Sequence, residues 1–87
     1  MLYVYILKSL STSNWHYVGS CGSLEDRIKQ HNKGNVKSTK NKRPLALIHQ
    51  ESFGTIREAR QRENYLKSPK GYLEKKKLIL ENNISPG

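Results

Sequence analysis

Acidic residues are scarce in this chain, and cysteine is nearly absent. Its 87 residues include 7 Asp+Glu against 16 Lys+Arg, and a single Cys. With Cys21 alone no intrachain disulfide can form, and a small chain without that staple is expected in a reducing compartment, the cytoplasm. Long apolar runs are missing too. The N-terminal run, Met1 to Leu7, is far shorter than the ~20 apolar residues of a membrane span. It also lacks the basic region and small-residue cleavage site of a secretion signal. No amphipathic helix with a clear Trp/Phe/Leu face is visible, so membrane-surface binding is not expected. Internal repeats, interdomain linkers, a recognition helix, a zinc finger and a stacking-aromatic motif are likewise not visible, which argues against sequence-specific reading of nucleic acid. A chain of this length has room for one domain. It buries only about 60–65% of the surface of its unfolded form, so two substrate lobes or an elaborate cofactor cradle are excluded.

What is present in quantity is positive charge. The formal net charge is +9. Such an excess speaks about partners and solubility, and polyanions are the natural partners, nucleic acid before anything else.

Local patterning predicts the order β-β-α-β-α-α, a small α+β domain with a mainly antiparallel sheet. Leu2 to Leu7 is a short run rich in β-branched and aromatic residues, read as a buried strand. Lys8 to Asn14 is turn chemistry, and Trp15 to Ser20 is a second strand completing a hairpin. Ser23 is an N-cap followed by Glu25 and Asp26 in a first helical turn, and Gly34 stops that helix near Lys33. Asn35 to Arg43 is polar and aperiodic, a loop. Pro44 opens a third strand, Leu45 to Gln50. Thr55 and Glu58 form a capping box that launches a helix to Lys67. Ser68 and Pro69 end it and start a last helix, whose apolar side is Tyr72, Leu73, Ile79 and Leu80. Residues 1–81 are taken as the domain and 82–87 as a fraying tail.

Three ionisable residues fall inside apolar helical stripes. At about 100° per residue, with Ile56 as zero, Ala59 lies near 300°, Leu66 near 280° and Glu63 between them near 340°. On the first helix, with Leu24 as zero, Ile28 lies at about 40°, His31 at about 340° and Arg27 at about 300°. A carboxylate in such a position is partly desolvated, which costs stability unless a cation meets it. Two readings stay open at this point. Arg27 and Glu63 form a structural ion pair and His31 is a hydrogen-bonded structural histidine, or the three serve a site.

The company these residues keep resembles a known family. Tyr3-Val4-Tyr5 and Tyr17-Val18-Gly19 look like the paired tripeptides that name the GIY-YIG nucleases. Arg27 opens an Arg-x-x-x-His element ending at His31; Arg43-Pro44-Leu45 precedes the third strand, and Glu63 lies on the later helix. The run is similar to small standalone bacterial members related to the N-terminal nuclease domain of the excision-repair excinuclease. The resemblance spans roughly residues 2 to 80. Tyr3 and Val4 replace the Gly and Ile of the first tripeptide, and Val18 the Ile of the second; all suit a strand.

The resemblance implies a metal-dependent endonuclease hydrolysing DNA by a one-metal mechanism, in repair or recombination. Glu63 would hold Mg²⁺ or Mn²⁺, since a carboxylate with waters and a substrate phosphate is how Mg²⁺ usually binds. Arg27 would hold the scissile phosphate through a guanidinium that stays charged. Tyr5 would act as general base, with Tyr17 and His31 positioning the water or accepting a proton. A phenol of pKa about 10 serves as base at pH 7 only if nearby cations lower it. Core packing with a hydrogen-bonded tip is the alternative for both tyrosines. Lys29, Lys33, Lys37, Lys40, Lys42 and Arg43 lie in a stretch without an acid and are assigned to tracking the DNA backbone. Arg57, Arg60, Lys67, Lys70 and Lys75 to Lys77 are assigned to a mixed, solvated helix face. A catalytically silent nucleic-acid-binding module of the same fold is the alternative function. A homodimer or a partner protein is expected to supply target choice.

Overall fold

The structure, a computed structural model, describes residues 2–83. Its elements are β1 (Leu2–Ser9), β2 (His16–Cys21), α1 (Leu24–Lys33), β3 (Leu45–Phe53), α2 (Ile56–Lys67) and α3 (Tyr72–Asn83). The order is the β-β-α-β-α-α that patterning predicts, and the domain is α+β. The strands form one antiparallel sheet in the order β2-β1-β3.

β1 is central, and Val4, Tyr5, Ile6 and Leu7 are all fully buried. Successive side chains leave opposite faces of a strand, so an unbroken apolar run here means that both faces are covered. Val4 and Ile6 join Val18, Ala59 and Leu66 in one cluster, against which Leu78 and Ile79 of α3 also pack. Tyr5 and Leu7 join Leu45 on the other face, beneath Leu24 and Ile28 of α1. Each fully buried aliphatic side chain contributes roughly 1.5–3 kcal/mol. β2 is an edge strand, so groups from the two faces can meet around it.

Helix ends follow local chemistry. The Ser23 side chain accepts from the Asp26 N–H at 3.4 Å, and Gly34 closes α1 in the left-handed region at φ 84°. Thr55 accepts from the Glu58 N–H at 3.2 Å. Strand ends do not follow it. β1 reaches Ser9 and β3 reaches Phe53, past their expected limits, because the two pair along their whole length, from Leu2 with Phe53 to Ser9 with Leu45. The expected loop after α1 contains a 3-10 turn at Lys40–Lys42. Ser68 caps a second such turn, Pro69–Gly71, and α3 starts only at Tyr72. α3 continues through Asn83, and residues 84–87 of the expected tail lie outside the described residues.

Two expected apolar faces are corrected. Ile56 is 60% exposed, at the first turn of α2, whereas Ala59 and Leu66 reach the core. On α3, Tyr72, Leu73 and Leu80 are exposed, and Leu78 and Ile79 pack inward. Arg62 on α2 grips Glu51 of β3 with two hydrogen bonds, 2.7 and 3.0 Å, and also holds Glu74 of α3. In this ion triad α3 turns Glu74 rather than Leu73 toward its neighbours, with Leu78 and Ile79 on the core. Among the described residues no helix is long and apolar enough to cross a membrane.

Candidate active site

Antiparallel pairing sets Tyr5 opposite Gly19. The Tyr5 phenol then lies across β2 so closely that a Cβ on Gly19 would sit 2.5 Å from its Oη and 2.9 Å from Cε2 of Tyr17. No side chain fits there. The glycine of the second tripeptide is therefore what lets two tyrosines from adjacent strands crowd one spot, with ring centroids 6.4 Å apart.

His31 closes the cluster from α1. Fully buried, it meets Tyr5 edge-on at 5.7 Å and Tyr17 at 5.2 Å between centroids. Its Nε2 lies 2.9 Å from the Tyr5 Oη and its Nδ1 2.8 Å from the Thr39 Oγ1. Thr39, also fully buried, donates its hydroxyl proton to the Val36 carbonyl at 3.4 Å, and Arg27 Nε donates to the Tyr5 Oη at 3.5 Å. One proton order satisfies all four contacts. His31 Nδ1–H donates to Thr39, and Tyr5 O–H donates to an unprotonated Nε2. Burial, then the Arg27 charge, lower the imidazole pKa to about 4, so the ring is neutral at pH 7.

The same environment acts on Tyr5 against expectation. Its pKa is pushed up to about 12, because burial outweighs the hydrogen bond from Arg27. The condition for a phenolate at pH 7, a pKa lowered by cations, is not met in the free protein. Tyr5 is a proton donor to His31 here.

Arg27 sits half-buried at the rim of this cluster, anchored through Nε. Its terminal nitrogens make no hydrogen bond or ion pair among the described residues. The Arg27–Glu63 pair that helical geometry left open does not form, since α1 and α2 cover opposite faces of the sheet. Glu63 instead accepts from Ser20 Oγ at 2.5 Å and from Lys67 Nζ at 2.6 Å. Burial raises its pKa, but the bonds from Lys67 and Ser20 more than offset that, leaving it below the usual carboxylate range and ionised at pH 7.

Lys67 joins the two faces: while bonded to Glu63, its ammonium lies 5.5 Å over the Tyr17 ring. Glu63 is thus brought to the edge strand beside Tyr17, around β2 from Arg27 and His31. Sequence reasoning placed Lys67 on a solvated helix face; its i, i+4 spacing from Glu63 was the available signal. Thr39 and Gly19 were missed as well. Nothing local marks Thr39 as buried, whereas Gly19 stood inside the tripeptide motif.

The assigned DNA-tracking residues divide. Lys33, Lys37 and Lys40 are exposed and without a side-chain partner among the described residues. Lys29 reaches back to Glu25 at 3.4 Å, so that position is not acid-free in space. Arg43 donates to the Lys40 carbonyl at 2.8 Å. Lys42 lies 5.7 Å over the Trp15 ring, and its carbonyl accepts from Ser9 Oγ at 2.7 Å. Cys21 is half-buried, with a thiol pKa raised by burial despite the opposing Arg27 charge, which disfavours the nucleophilic thiolate.

Whether the residues suit a divalent ion is decided by the donor set. Glu63 supplies an ionised carboxylate and Ser20 a hydroxyl, both hard oxygens, and a cation, Lys67, already rests on the carboxylate. That fits an ion such as Mg²⁺, which takes one or two carboxylates and keeps several waters. Among the described residues no group of three or more His, Cys, Asp or Glu side chains forms a metal cage.

The fold is that of a small α+β domain, a three-stranded antiparallel sheet with helices on both faces and a cluster of polar groups around its edge strand. Comparison with known proteins narrows the class. Residues 1–77 match the GIY-YIG catalytic domain, and the chain belongs to the GIY-YIG family of nuclease domains. It is 44% identical over 80 residues to the UPF0213 protein YazA of Bacillus subtilis, covering 91% of this chain and 77% of YazA. A UPF0213 protein of Clostridium perfringens is 46% identical over 68 residues, 77% of this chain and 71% of that protein. One of Staphylococcus saprophyticus is 40% identical over 79 residues, 90% of both chains. No solved structure shows a significant match.

Proposed function

We propose that this chain is a divalent-metal-dependent DNA endonuclease of the cytoplasm, serving repair or recombination. The observation that carries the proposal is the state of Arg27. A half-buried guanidinium is normally met by a carboxylate, as Arg62 is met by Glu51 and Glu74. Arg27 is instead held at Nε by a phenol, next to Tyr17 and His31, and its fork meets no partner among the described residues. Such a fork suits two oxygens of a phosphodiester.

In the proposed reaction Arg27 binds the scissile phosphate and stabilises the charge that grows on it. Tyr5, donating to His31 Nε2, keeps its oxygen in place beneath Arg27. As the attacking water gives its proton to the Tyr5 oxygen, the Tyr5 proton passes to His31 Nε2, which Thr39 keeps free by accepting from Nδ1–H. A proton from solvent completes the leaving oxygen. Tyr17, half-buried beside them, orients the attacking water. Glu63 and Ser20 would hold Mg²⁺ or Mn²⁺, with Lys67 giving way; the ion would polarise the phosphoryl group and neutralise charge on the leaving oxygen. Lys33, Lys37, Lys40, Lys42 and Arg43 follow the backbone of the DNA, with Lys29 shared with Glu25. A second copy or a partner protein supplies target choice.

The test is nicking of supercoiled plasmid and of branched DNA with Mg²⁺ or Mn²⁺, against an EDTA control. Glu63→Ala and Arg27→Ala are expected to abolish it while circular dichroism shows an intact fold. Equal cutting by wild type and Glu63→Ala would refute the proposal. One observation favours the second reading, a silent binding module. Tyr5 and His31 are fully buried and Lys67 already neutralises Glu63. Its signature is salt-sensitive, divalent-independent DNA binding with no cleavage of any substrate tried.

A further inference from the structure

Trp15, just before β2, and Tyr17 within it pack against the same cluster, and their rings stack at 6.5 Å with an interplanar angle of 15°. A cation lies over each: Lys42 at 5.7 Å from the Trp15 centroid, Lys67 at 5.5 Å from that of Tyr17. The result is a strip of alternating ammonium and π surface along the edge strand, running from Glu63 past Tyr17 to the turn at Lys40–Lys42. Trp15 also borders a cavity of about 450 Å³ between the start of β2 and α3, lined further by His16, Tyr72, Lys75, Lys76 and Ile79. That volume lies within the ~300–1,000 Å³ of small-ligand sites. Among the described residues no carboxylate lines it. His16 is neutral at pH 7, its pKa lowered by burial and then by Lys75 and Lys8, so the cavity's charge comes from its two lysines.

We infer that this cavity takes an unpaired DNA base, and that the Trp15–Tyr17 strip leads the strand carrying it across the candidate active site. The inference rests on the nucleic-acid reading of that site and names the form of substrate it favours: single-stranded, flapped or otherwise unpaired DNA. Three features support it. Aromatic rings with ammonium groups and no acid match a nucleotide, a π face for the base and charge for the phosphate. The strip is continuous with Tyr17, which packs on His31. Bases in a duplex keep their faces within their own stack, so only an unpaired nucleotide can use such a cavity. The sequence showed no stacking motif because the rings come from distant segments, Trp15 before β2 and Tyr72 at the start of α3.

Trp15 is the only tryptophan of the chain, which makes it its own reporter. Wild-type protein in EDTA is titrated with a dye-labelled twelve-residue oligothymidylate, a blunt duplex of equal length and the matching oligouridylate. Dye anisotropy reports binding and tryptophan emission reports stacking. Emission is expected to be quenched by oligothymidylate and not by the duplex. Tyr72→Ala, whose ring is exposed and outside the core, should weaken oligothymidylate binding by about tenfold and erase its advantage over the duplex. Binding without quenching, equal quenching by the duplex, tighter binding of the RNA, or no binding of any of the three would each overturn the inference. Quenching without metal-dependent cleavage elsewhere would leave it standing while the nuclease reading fell. Cleavage without quenching would do the reverse.

Discussion

His31 is the most exposed test of the reasoning about the site, because its burial and its proton order make a quantitative statement about acid. In the folded chain its pKa is lowered from 6.5 to about 4. On acidification the unfolded chain therefore takes up a proton near pH 6.5, and the folded chain only near pH 4. Between these values the unfolded state binds the extra proton, so stability falls as pH falls, by up to about 1.4 kcal/mol per pH unit. Integrated from pH 7 to pH 4.5, the loss is about 2 kcal/mol. His16, with its pKa also lowered by burial, adds a loss of the same sign. Glu51 and Glu63 have depressed pKa values, so their stabilising pairs persist until lower pH. The assay is urea denaturation of wild type and His31→Gln at pH 7 and 4.5. The glutamine variant is less stable at pH 7, but its loss between the two pH values should be smaller by about 2 kcal/mol. Proton-detected titration of the three imidazoles gives an independent check: His31 should remain neutral at pH 5. Equal acid losses in wild type and variant, or a His31 titration near 6.5, would refute both the sealed environment and the proton order built on it.

Two further predictions concern the frame of the site. Gly19→Ala sets a methyl group 2.5 Å from the Tyr5 oxygen; overpacking of this kind costs about 1–3 kcal/mol, and both melting temperature and nicking activity should drop together. A variant matching wild type in both would show that the tyrosines are less tightly held than the geometry states. Arg62→Ala takes the cation from Glu74 and leaves Glu51 with His49 as its remaining partner. It should cost about 1–2 kcal/mol in denaturation while leaving nicking intact wherever the variant is folded. A loss near zero would mean that the Arg62 pairs contribute nothing to holding α2, β3 and α3 together.

Elements governed by near neighbours were legible. Ser23, Gly34 and Thr55 do as caps what their types and positions predict, because capping depends on backbone groups within a turn. The apolar run of β1 was readable as a buried strand, though not as the central strand. Faces set by distant contacts were not legible. Periodicity gave Tyr72, Leu73, Ile79 and Leu80 an inward role, but only Ile79 keeps it, and Leu78 packs inward beside it. Helical angles could place Arg27, His31 and Glu63 near apolar stripes, yet could not say that α1 and α2 lie on opposite faces of one sheet.

By itself the sequence determined the order of elements, the helix caps, the excess of positive charge and the motif residues that mark the family. The tertiary structure alone decided how those residues act on one another. It sealed Tyr5 and His31 from water and so raised one pKa and lowered the other. It left Arg27 without an acid and gave Glu63 to Lys67. It drew Trp15 and Tyr72 to one cavity. The division has one physical source. Caps and strands answer to groups a few residues away, whereas desolvation and charge pairing depend on which surfaces the completed sheet brings together.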